Sequence, residues 1–434
     1  MEQVIRDRIS IFQRKRVPDG YKKLYNGILP KDWHVKKICD IKDPNDKYSL
    51  TGGPFGSDLK SEHYTDDGIR IIQLQNIGDG RFIDDYKIYT SHKKADELIN
   101  CNIYPGEIII AKMAEPLARA CIIPSIYNRY LMASDGIRLN VDNSKYNSKF
   151  VLECINSSYF RAEAIKRGTG TTRLRIGLNV LGNLKIPVPS LTEQKKIADI
   201  FSTWDKAIEL KEKLIEEKKK HKKGLMQKLL TGNVRFTGFN DAWEEVKFGK
   251  VFKFLNKERV SEPQNYKLLT VKLHLKGIEA TEKYPNDTKN GRPYYLREPN
   301  EILIGRQNYH NGGIGIVPSN MKNYIASNAI SSLTTIKGDL MFLFYYISNV
   351  DFYKRVGHMI GGTGQKEISE TTMKKLILRI PKSLEEQKKI GEVLKTADNE
   401  IDLLERELEA LKQQKKGLIQ LLLTGILRVN TQVR

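Results

Sequence analysis

Residues 190–232 read SLTEQKKIADIFSTWDKAIELKEKLIEEKKKHKKGLMQKLLTG, and residues 383–425 repeat them as SLEEQKKIGEVLKTADNEIDLLERELEALKQQKKGLIQLLLTG, displaced by 193 positions without a gap. Each copy opens as a helix should. Ser190 stands three residues before Glu193 and Ser383 three before Glu386, so each pair can satisfy free backbone donors reciprocally as a capping box. Each copy closes on a glycine, Gly232 or Gly425, that can take the left-handed conformation which ends a helix. Counting alternately four and three from Ile197 gives Phe201, Trp204, Ile208, Lys211, Ile215, Lys218, Lys222, Leu225 and Leu229, seven of ten apolar. The same count from Ile390 gives Leu394, Ala397, Ile401, Leu404, Leu408, Leu411, Lys415, Leu418 and Leu422, nine of ten apolar. A seam repeating every 3.5 residues asks for a partner helix along its whole length, and the nearest partner is the other copy. At about 38 residues and 1.5 Å per residue, each rod is expected to be roughly 57 Å long, which suits a spacer. A duplicated unit meets itself most simply about a pseudo-two-fold axis, so antiparallel packing is expected. Lys211, Lys218 and Lys222 interrupt the first seam, although lysine stems can lie over apolar surface.

The chain has 434 residues, enough for about two to four domains. Its formal charge of +21 points toward a polyanionic partner, nucleic acid ahead of an anionic membrane. The four cysteines, Cys39, Cys101, Cys121 and Cys154, form no CxxC pair and have no histidine spacing suited to zinc. They read as reduced thiols of a cytoplasmic protein. The longest apolar run, near residues 340–347, is too short for a membrane span, and the charged start MEQVIRDR does not fit a signal peptide.

The rest of the chain is also written twice. Residues 1–30 read as a tail that includes the basic run Arg14, Lys15 and Arg16. From residue 31 short β-like runs alternate with turns: IRIIQLQNI (69–77), GEIIIAKM (106–113), RACIIP (119–124) and SDGIRLNV (134–141). A helix is expected over 149–167, then a loop, GTGTTR (168–173), and a strand that ends on Pro187 and Pro189. After Gly232 the plan restarts. Trp243 answers Trp33, LLTVKLH (268–274) answers IIQLQNI, PNEILIGRQ (299–307) answers PGEIIIAKM, and Arg306 falls opposite Lys112. An apolar helix is expected over 339–356, and GTGQK (362–366) matches GTGTT. The displacement is 194 over most of this but 210 at the tryptophans, so about sixteen extra residues are expected between roughly 45 and 68 of the first copy, a stretch containing GGPFGSDLKSE. The expected division is a tail (1–30), a first globe (31–190), a central helix (191–232), a connector and second globe (233–382), a C-terminal helix (383–425) and a tail (426–434). The fold class is α/β (α+β), with two globular units and two long antiparallel coiled-coil helices.

The twin segments PSLTEQKKI…KKGLMQKLLTG and KSLEEQKKI…KKGLIQLLLTG, each closing a unit that opens near Trp33 or Trp243, strongly resemble the specificity (S) subunit of type I restriction-modification systems. GGPFGSDLK and VRFTGFNDAW look like motifs of the same family. The resemblance spans nearly the whole chain. It implies that residues 31–190 and 241–382 are target-recognition domains, each reading one half of a split, asymmetric double-stranded DNA site, and that the helices set the interval and dock two methyltransferase subunits. It implies a subunit without chemistry of its own, working beside ATP-dependent restriction subunits; S-adenosylmethionine, ATP and Mg²⁺ then belong to those partners, with none in this chain. With the interval fixed, the half-sites are expected about one helical turn apart, roughly 34 to 36 Å.

The residues agree with a non-catalytic reading. There is no GxxxxGK[ST] phosphate loop and no Asn/Asp-Pro-Pro-Tyr/Phe element, the histidines are scattered, and strings such as Glu245-Val246-Lys247 arise readily in so charged a chain. DNA contacts are expected on loops. In the first globe these are Gly53, Phe55, Gly56, Ser57 and Lys60, where small residues allow close backbone approach, and Gln73, Gln75 and Asn76, whose amides can bond adenine edges. Lys112, Arg119, Arg167, Thr169, Thr171, Arg173 and Arg175 follow for the phosphates. In the second globe the parallel candidates are Lys272, His274, Arg306, Gln307, Asn308, Tyr309, His310 and Lys366. The alternative is an assembly protein whose coiled coil is the product and whose globes bind protein.

Overall fold

The structure, a computed structural model, describes residues 16–24, 27–113, 115–285, 292–357 and 367–430, with Arg8, Ser10 and Ile11. The two repeated stretches are helices of 39 and 40 residues, Leu191–Leu229 and Leu384–Leu423. The chain divides into two compact units, 1–210 with 408–434 and 211–407, so the boundary passes through both helices and each unit holds part of each. No helix among the described residues is long and apolar enough to cross a membrane.

In both units the helices run antiparallel. In the second, Lys211 Nζ lies 2.8 Å from Glu407 Oε2 and Lys218 Nζ 2.6 Å from Glu400 Oε1, while Lys222 pairs with Asp398. In the first, Lys415 Nζ lies 2.5 Å from Asp205 Oδ1. The lysines that interrupt the seam therefore meet carboxylates of the opposite helix, and their stems keep the seam covered. Ile197, Phe201, Ile215, Leu229, Ile390, Leu394, Ile401 and Leu422 are buried. Trp204, Ile208, Leu225, Leu404, Leu408, Leu411 and Leu418 are half-buried, while their helical neighbours are mostly exposed. Asp205 also accepts from Lys149 Nζ at 2.6 Å. Burial works to raise its pKa, but the hydrogen bonds from Lys149 and Lys415 outweigh it and hold the carboxyl below its ordinary value.

The helix starts form only half of the expected capping box. Ser190 Oγ accepts from Glu193 N at 3.3 Å, and Ser383 Oγ from Glu386 N at 3.3 Å. The two carboxylates turn elsewhere. Glu193 takes Arg428 Nε at 2.7 Å, Arg428 Nη2 at 2.9 Å and the indole Nε1 of fully buried Trp33 at 3.2 Å. Glu386 takes Arg235 Nε and Nη2, both at 2.8 Å. Arg235 and Arg428 lie three residues beyond Gly232 and Gly425, which have φ of +74° and +69°, as the left-handed helix end requires. In each unit, then, the arginine after one helix clamps the glutamate at the start of the other. A tryptophan lies near each terminal glycine: a Cβ on Gly232 would stand 3.3 Å from Trp243, and one on Gly425 3.5 Å from Trp33, with Pro30 nearer still. Gln194 and Gln387 tie the helix starts to the globes, donating to the Pro189 and Pro381 carbonyls and accepting from Asn147 N and Asp339 N.

The globes share one strand plan. The first has an antiparallel sheet ordered Ala120–Ile122, Ile108–Ala111, Gly136–Leu139, Leu50–Gly52. A second, mixed sheet is ordered Tyr64–Thr65, Ile88–Thr90, Ile69–Ile72, Tyr130–Met132, Asn102–Ile103, with its one parallel pair between Ile69–Ile72 and Tyr130–Met132. The second globe repeats the first sheet as Ile314–Ile316, Ile302–Gly305, Ile330–Thr335, Phe252–Phe254. It repeats the mixed sheet as Ile278–Ala280, Lys267–Val271, Tyr324–Ser327, Tyr294–Arg297, again with a parallel central pair. The expected single helices are each two: Ser148–Asn156 and Ser158–Arg167, broken where Ser157 caps the second, and Leu340–Ile347 and Val350–Gly357. Tyr21–Leu24 and Gly27–Pro30, within the expected tail, are strands that pair antiparallel, and Tyr21 donates to the Gly425 carbonyl at 2.6 Å.

Strand register divides the extra residues of the first copy. His34 and Glu244 occupy equivalent rungs, 210 apart. Leu50 pairs with Leu139 and Phe254 with Leu333, giving 204; Arg70 pairs with Tyr130 and Lys267 with Tyr324, giving 197. From Ile108 and Ile302 the displacement is 194. The additions are thus six residues before Leu50, seven between Leu50 and Arg70, and three later, so the single insertion expected between 45 and 68 is several smaller ones.

The clamps make a testable prediction. Glu193 and Glu386 are 2% and 1% exposed, so Arg428→Ala or Arg235→Ala strands a buried carboxylate and is expected to cost about 3 to 5 kcal/mol in urea unfolding. A loss under about 1 kcal/mol in both variants would mean that the clamp does not hold the helix ends.

Candidate nucleic-acid interface

Several loops of the first globe meet around the turn Ala133, Ser134 and Asp135. Gly53 lies so close that a Cβ there would stand 1.9 Å from the Ala133 carbonyl oxygen, and its own N–H donates to Gly136 O at 2.9 Å. Lys112 Nζ donates to Ser134 O at 2.8 Å, and Arg175 Nη2 to Asp135 Oδ1 at 2.5 Å. The main chain closes the group: Lys112 N donates to Asp135 O and Ile176 N to Lys112 O, both at 2.8 Å. Thr169 and Arg175 exchange backbone hydrogen bonds of 2.9 and 2.8 Å across a tight hairpin, whose turn uses Gly170 at φ +110°. A Cβ on Gly170 would meet the Arg173 carbonyl at 2.5 Å, so glycine is required there.

The candidates divide by what they already touch. Phe55, Gly56, Ser57 and Lys60 are exposed on their loop, and Arg167, Thr169, Thr171, Arg173 and Arg175 are exposed on or beside the hairpin. Arg167 pairs with Glu163 and Lys60 with Glu62, whereas Arg173 has no partner among the described residues. Gln75 Nε2 donates to Gln73 Oε1 at 3.3 Å, and with Ile83, Asp85 and Tyr86 the two amides line a shallow open cleft. Their common face does not come from strand alternation: the strand ends at Ile72 and Leu74–Asn76 is a 3-10 turn. Arg119 reaches this turn, donating to Leu74 O at 2.9 Å.

Two candidates are corrected. Asn76 is fully buried, accepting from Gln73 N at 2.9 Å and donating to Ile83 O at 2.9 Å and Tyr86 O at 3.0 Å. It has nothing left for a base, because a buried amide must spend its groups on local backbone. Tyr309 is fully buried too, donating to Ile347 O at 2.9 Å, and burial pushes its phenol far up. Gly53 keeps its close approach, but to its own chain.

Lys112 and Arg306 occupy equivalent positions. Arg306 N donates to Ala329 O at 3.1 Å and accepts Ile368 N on its carbonyl at 3.3 Å, repeating the pattern at Lys112. Both side chains are engaged internally. Burial, and then the nearby Arg175, pull the Lys112 pKa below its ordinary value. Arg306 Nε lies 2.5 Å from Glu367 and Nη1 3.2 Å from Ser331 Oγ. In the second globe Lys272 pairs with Glu279 at 2.7 Å, His274 is exposed at φ +58° with its N–H on Asn311 O, and Asn308 is exposed. Gln307 and His310 are half-buried, with His310 Nε2 3.1 Å from Asn311 Nδ2. Lys366 and the GTGQK loop lie outside the described residues. Among the described residues no cluster of histidine, cysteine and carboxylate side chains is arranged to hold a metal ion. Buried Arg138, bonded to Glu107 at 2.5 and 2.7 Å and to Asp46 at 2.6 Å, was not among the candidates, and its work is structural.

Comparison with known proteins matches residues 30–219 and 240–413 to the type I restriction modification DNA specificity domain. A protein of Methanocaldococcus jannaschii described as the MjaX specificity subunit of a type I restriction enzyme is 27% identical over 434 residues, covering 95% of this chain and 98% of the other. The MjaVIII specificity subunit of the same organism is 28% identical over 326 residues, covering 69% and 75%. In fold, the chain is similar to the S subunit of a type I restriction-modification system from M. genitalium, with a TM-score of 0.56 and 18% identity over 92% of this chain and 98% of the other. It is likewise similar to a chain from a structure on complex assembly and conformational transition of the type I R-M system, with a TM-score of 0.54 and 16% identity over 92% and 99%.

The two corrected residues are expected to act on stability. Tyr309→Phe leaves the Ile347 carbonyl without its donor and should lower unfolding free energy by about 1 kcal/mol, and Asn76→Ala by about 2 kcal/mol. Unfolding curves indistinguishable from the parent's would return both side chains to the list of contacts.

Proposed function

This chain belongs to the type I restriction-modification DNA specificity family, and from that premise we propose that its two globes each read one half of a bipartite, asymmetric double-stranded DNA site while its helices dock two methyltransferase subunits. The observation that carries the reading is the repetition of one strand plan in two units whose helix portions pair antiparallel and whose loops differ. A common scaffold with divergent loops suits two readers of unlike sequence. The exposed loop at 55–60, the Gln73–Gln75 pair and the Thr169–Arg175 hairpin supply small, amide and cationic groups of the kinds that approach backbone, adenine edges and phosphates. In this reading the chain does no chemistry; adenine methylation with S-adenosylmethionine, and restriction with ATP and Mg²⁺, belong to partner subunits in the cytoplasm.

In this reading the interval between half-sites is a property of the protein, expected at about one helical turn, roughly 34 to 36 Å. Methylome sequencing of the source cell would deliver the site as one interrupted, non-palindromic motif. Adding three base pairs to its spacer is expected to lower affinity of the chain with its methyltransferase subunits at least about tenfold in footprinting. Unchanged affinity would sink the fixed interval.

Arg173 gives a clean test of phosphate contact, since Lys112 and Arg306 are held within their own globes. Arg173→Ala should weaken binding to all sequences alike and reduce the slope of log affinity against log salt by roughly 1. A slope unaltered from the parent's removes the hairpin tip from the interface.

A further inference from the structure

Phe55 stands out among the apolar side chains, with 82% of its surface exposed, more than any other large hydrophobic residue described. A lone exposed apolar group needs no explanation by itself. Here both flanks are fastened. Gly53 is pressed against Ala133, Pro54 is buried, and Leu59 packs at 8% exposure with Ile69, Ile71 and Leu131. Between these anchors Asp58 N donates to Phe55 O at 2.9 Å, closing a tight turn, and Gly56 faces open space. The chain thus holds an aromatic ring outward on a short loop braced on both sides.

The surroundings choose the occupant. Gly53 and Arg175 bracket the same turn, 133–135, so the loop shares its base with the cationic hairpin that carries Arg173 and Arg175, and Lys60 follows exposed in the same loop. The acidic groups nearby are engaged: Asp58 accepts from Ser57 Oγ at 3.1 Å, Glu62 lies 3.6 Å from Lys60, and Asp135 is paired with Arg175. An apolar tip beside a hairpin whose Arg173 has no partner among the described residues suits the stacked bases between two phosphate strands. We infer that Phe55 is a wedge that enters the base stack of the half-site read by the first globe, partly unstacking one step so that the adjoining amides and cations reach the widened groove. The inference rests on the DNA-reading function proposed above. It is also one-sided: in the corresponding connection of the second globe, residues 255–266, the one aromatic residue is Tyr266, which is half-buried beside the strand that starts at Lys267. The two half-sites are therefore deformed unequally, with flexible pyrimidine–purine steps favoured in the first alone.

The test uses the full chain with its methyltransferase subunits on duplexes carrying 2-aminopurine at successive positions of both half-sites, with footprinting on the same duplexes. The expected result is enhanced fluorescence at one step of the first half-site, lost in Phe55→Ala together with about tenfold or more in affinity, and retained in Phe55→Trp. Because the side chain is exposed, Phe55→Ala should unfold at the parent's temperature. A footprint over both half-sites without enhancement at any position, or enhancement undiminished in Phe55→Ala, overturns the wedge and leaves the reading of DNA standing. No footprint with the parent chain overturns both.

Discussion

A carboxylate taken out of water must be met by a cation or stay protonated, and at two equivalent points this chain buries a glutamate that only a distant arginine can meet. Glu193 and Glu386 open the two long helices, and Arg428 and Arg235 follow the ends of the opposite ones. The cost of leaving either glutamate unpaired selects the one arrangement in which a helix start lies beside the other's end. Everything else is hung on that. Trp33 donates to the first clamp and both tryptophans lie near the terminal glycines, and the hydrogen bond from Arg428 holds Asp32 below the usual carboxylate range. The neighbouring glutamines fasten the globes to the helix starts through Asn147 and Asp339.

Much of this was legible in the sequence because it was written twice. Helical period, terminal glycines and the 193-residue displacement led to two long helices, and the position of each seam residue followed from counting. The clamp was missed, although its signal was present: Arg235 and Arg428 are themselves 193 apart, as are Glu193 and Glu386. Reading Ser-x-x-Glu as a reciprocal capping box assigned the carboxylates a local partner, and local rules cannot see a stronger ion pair more than a hundred residues away. The split helices were missed for a related reason. Apolar period continues across Ser157 and Asn349, and it is the capping of the following turn at Ser157 that breaks the first of them.

The candidate contacts were legible by residue type and far less so by position. Lys112 was matched with Arg306 by displacement, and the two residues carry the same backbone hydrogen bonds. Residue type alone could not tell a presented amide from a consumed one. Gln75 faces the cleft, while Asn76, one position along, is turned inward and saturated by three backbone groups. Tyr309 illustrates the same limit, since its ring fills a core that only tertiary packing defines.

Polar residues inside the helix seam also govern how the helices can be mis-set. Lys222 meets Asp398, which in turn accepts from Tyr345 Oη at 2.6 Å. A slip of one heptad would bring Asp398 opposite Ile215 in one direction and Leu229 in the other. Either would strand a carboxylate against apolar side chains, whereas a seam of leucines alone would accept both offsets at small penalty. The lysines that weaken the first seam by composition therefore act as teeth, and they leave the pair a single way to mesh.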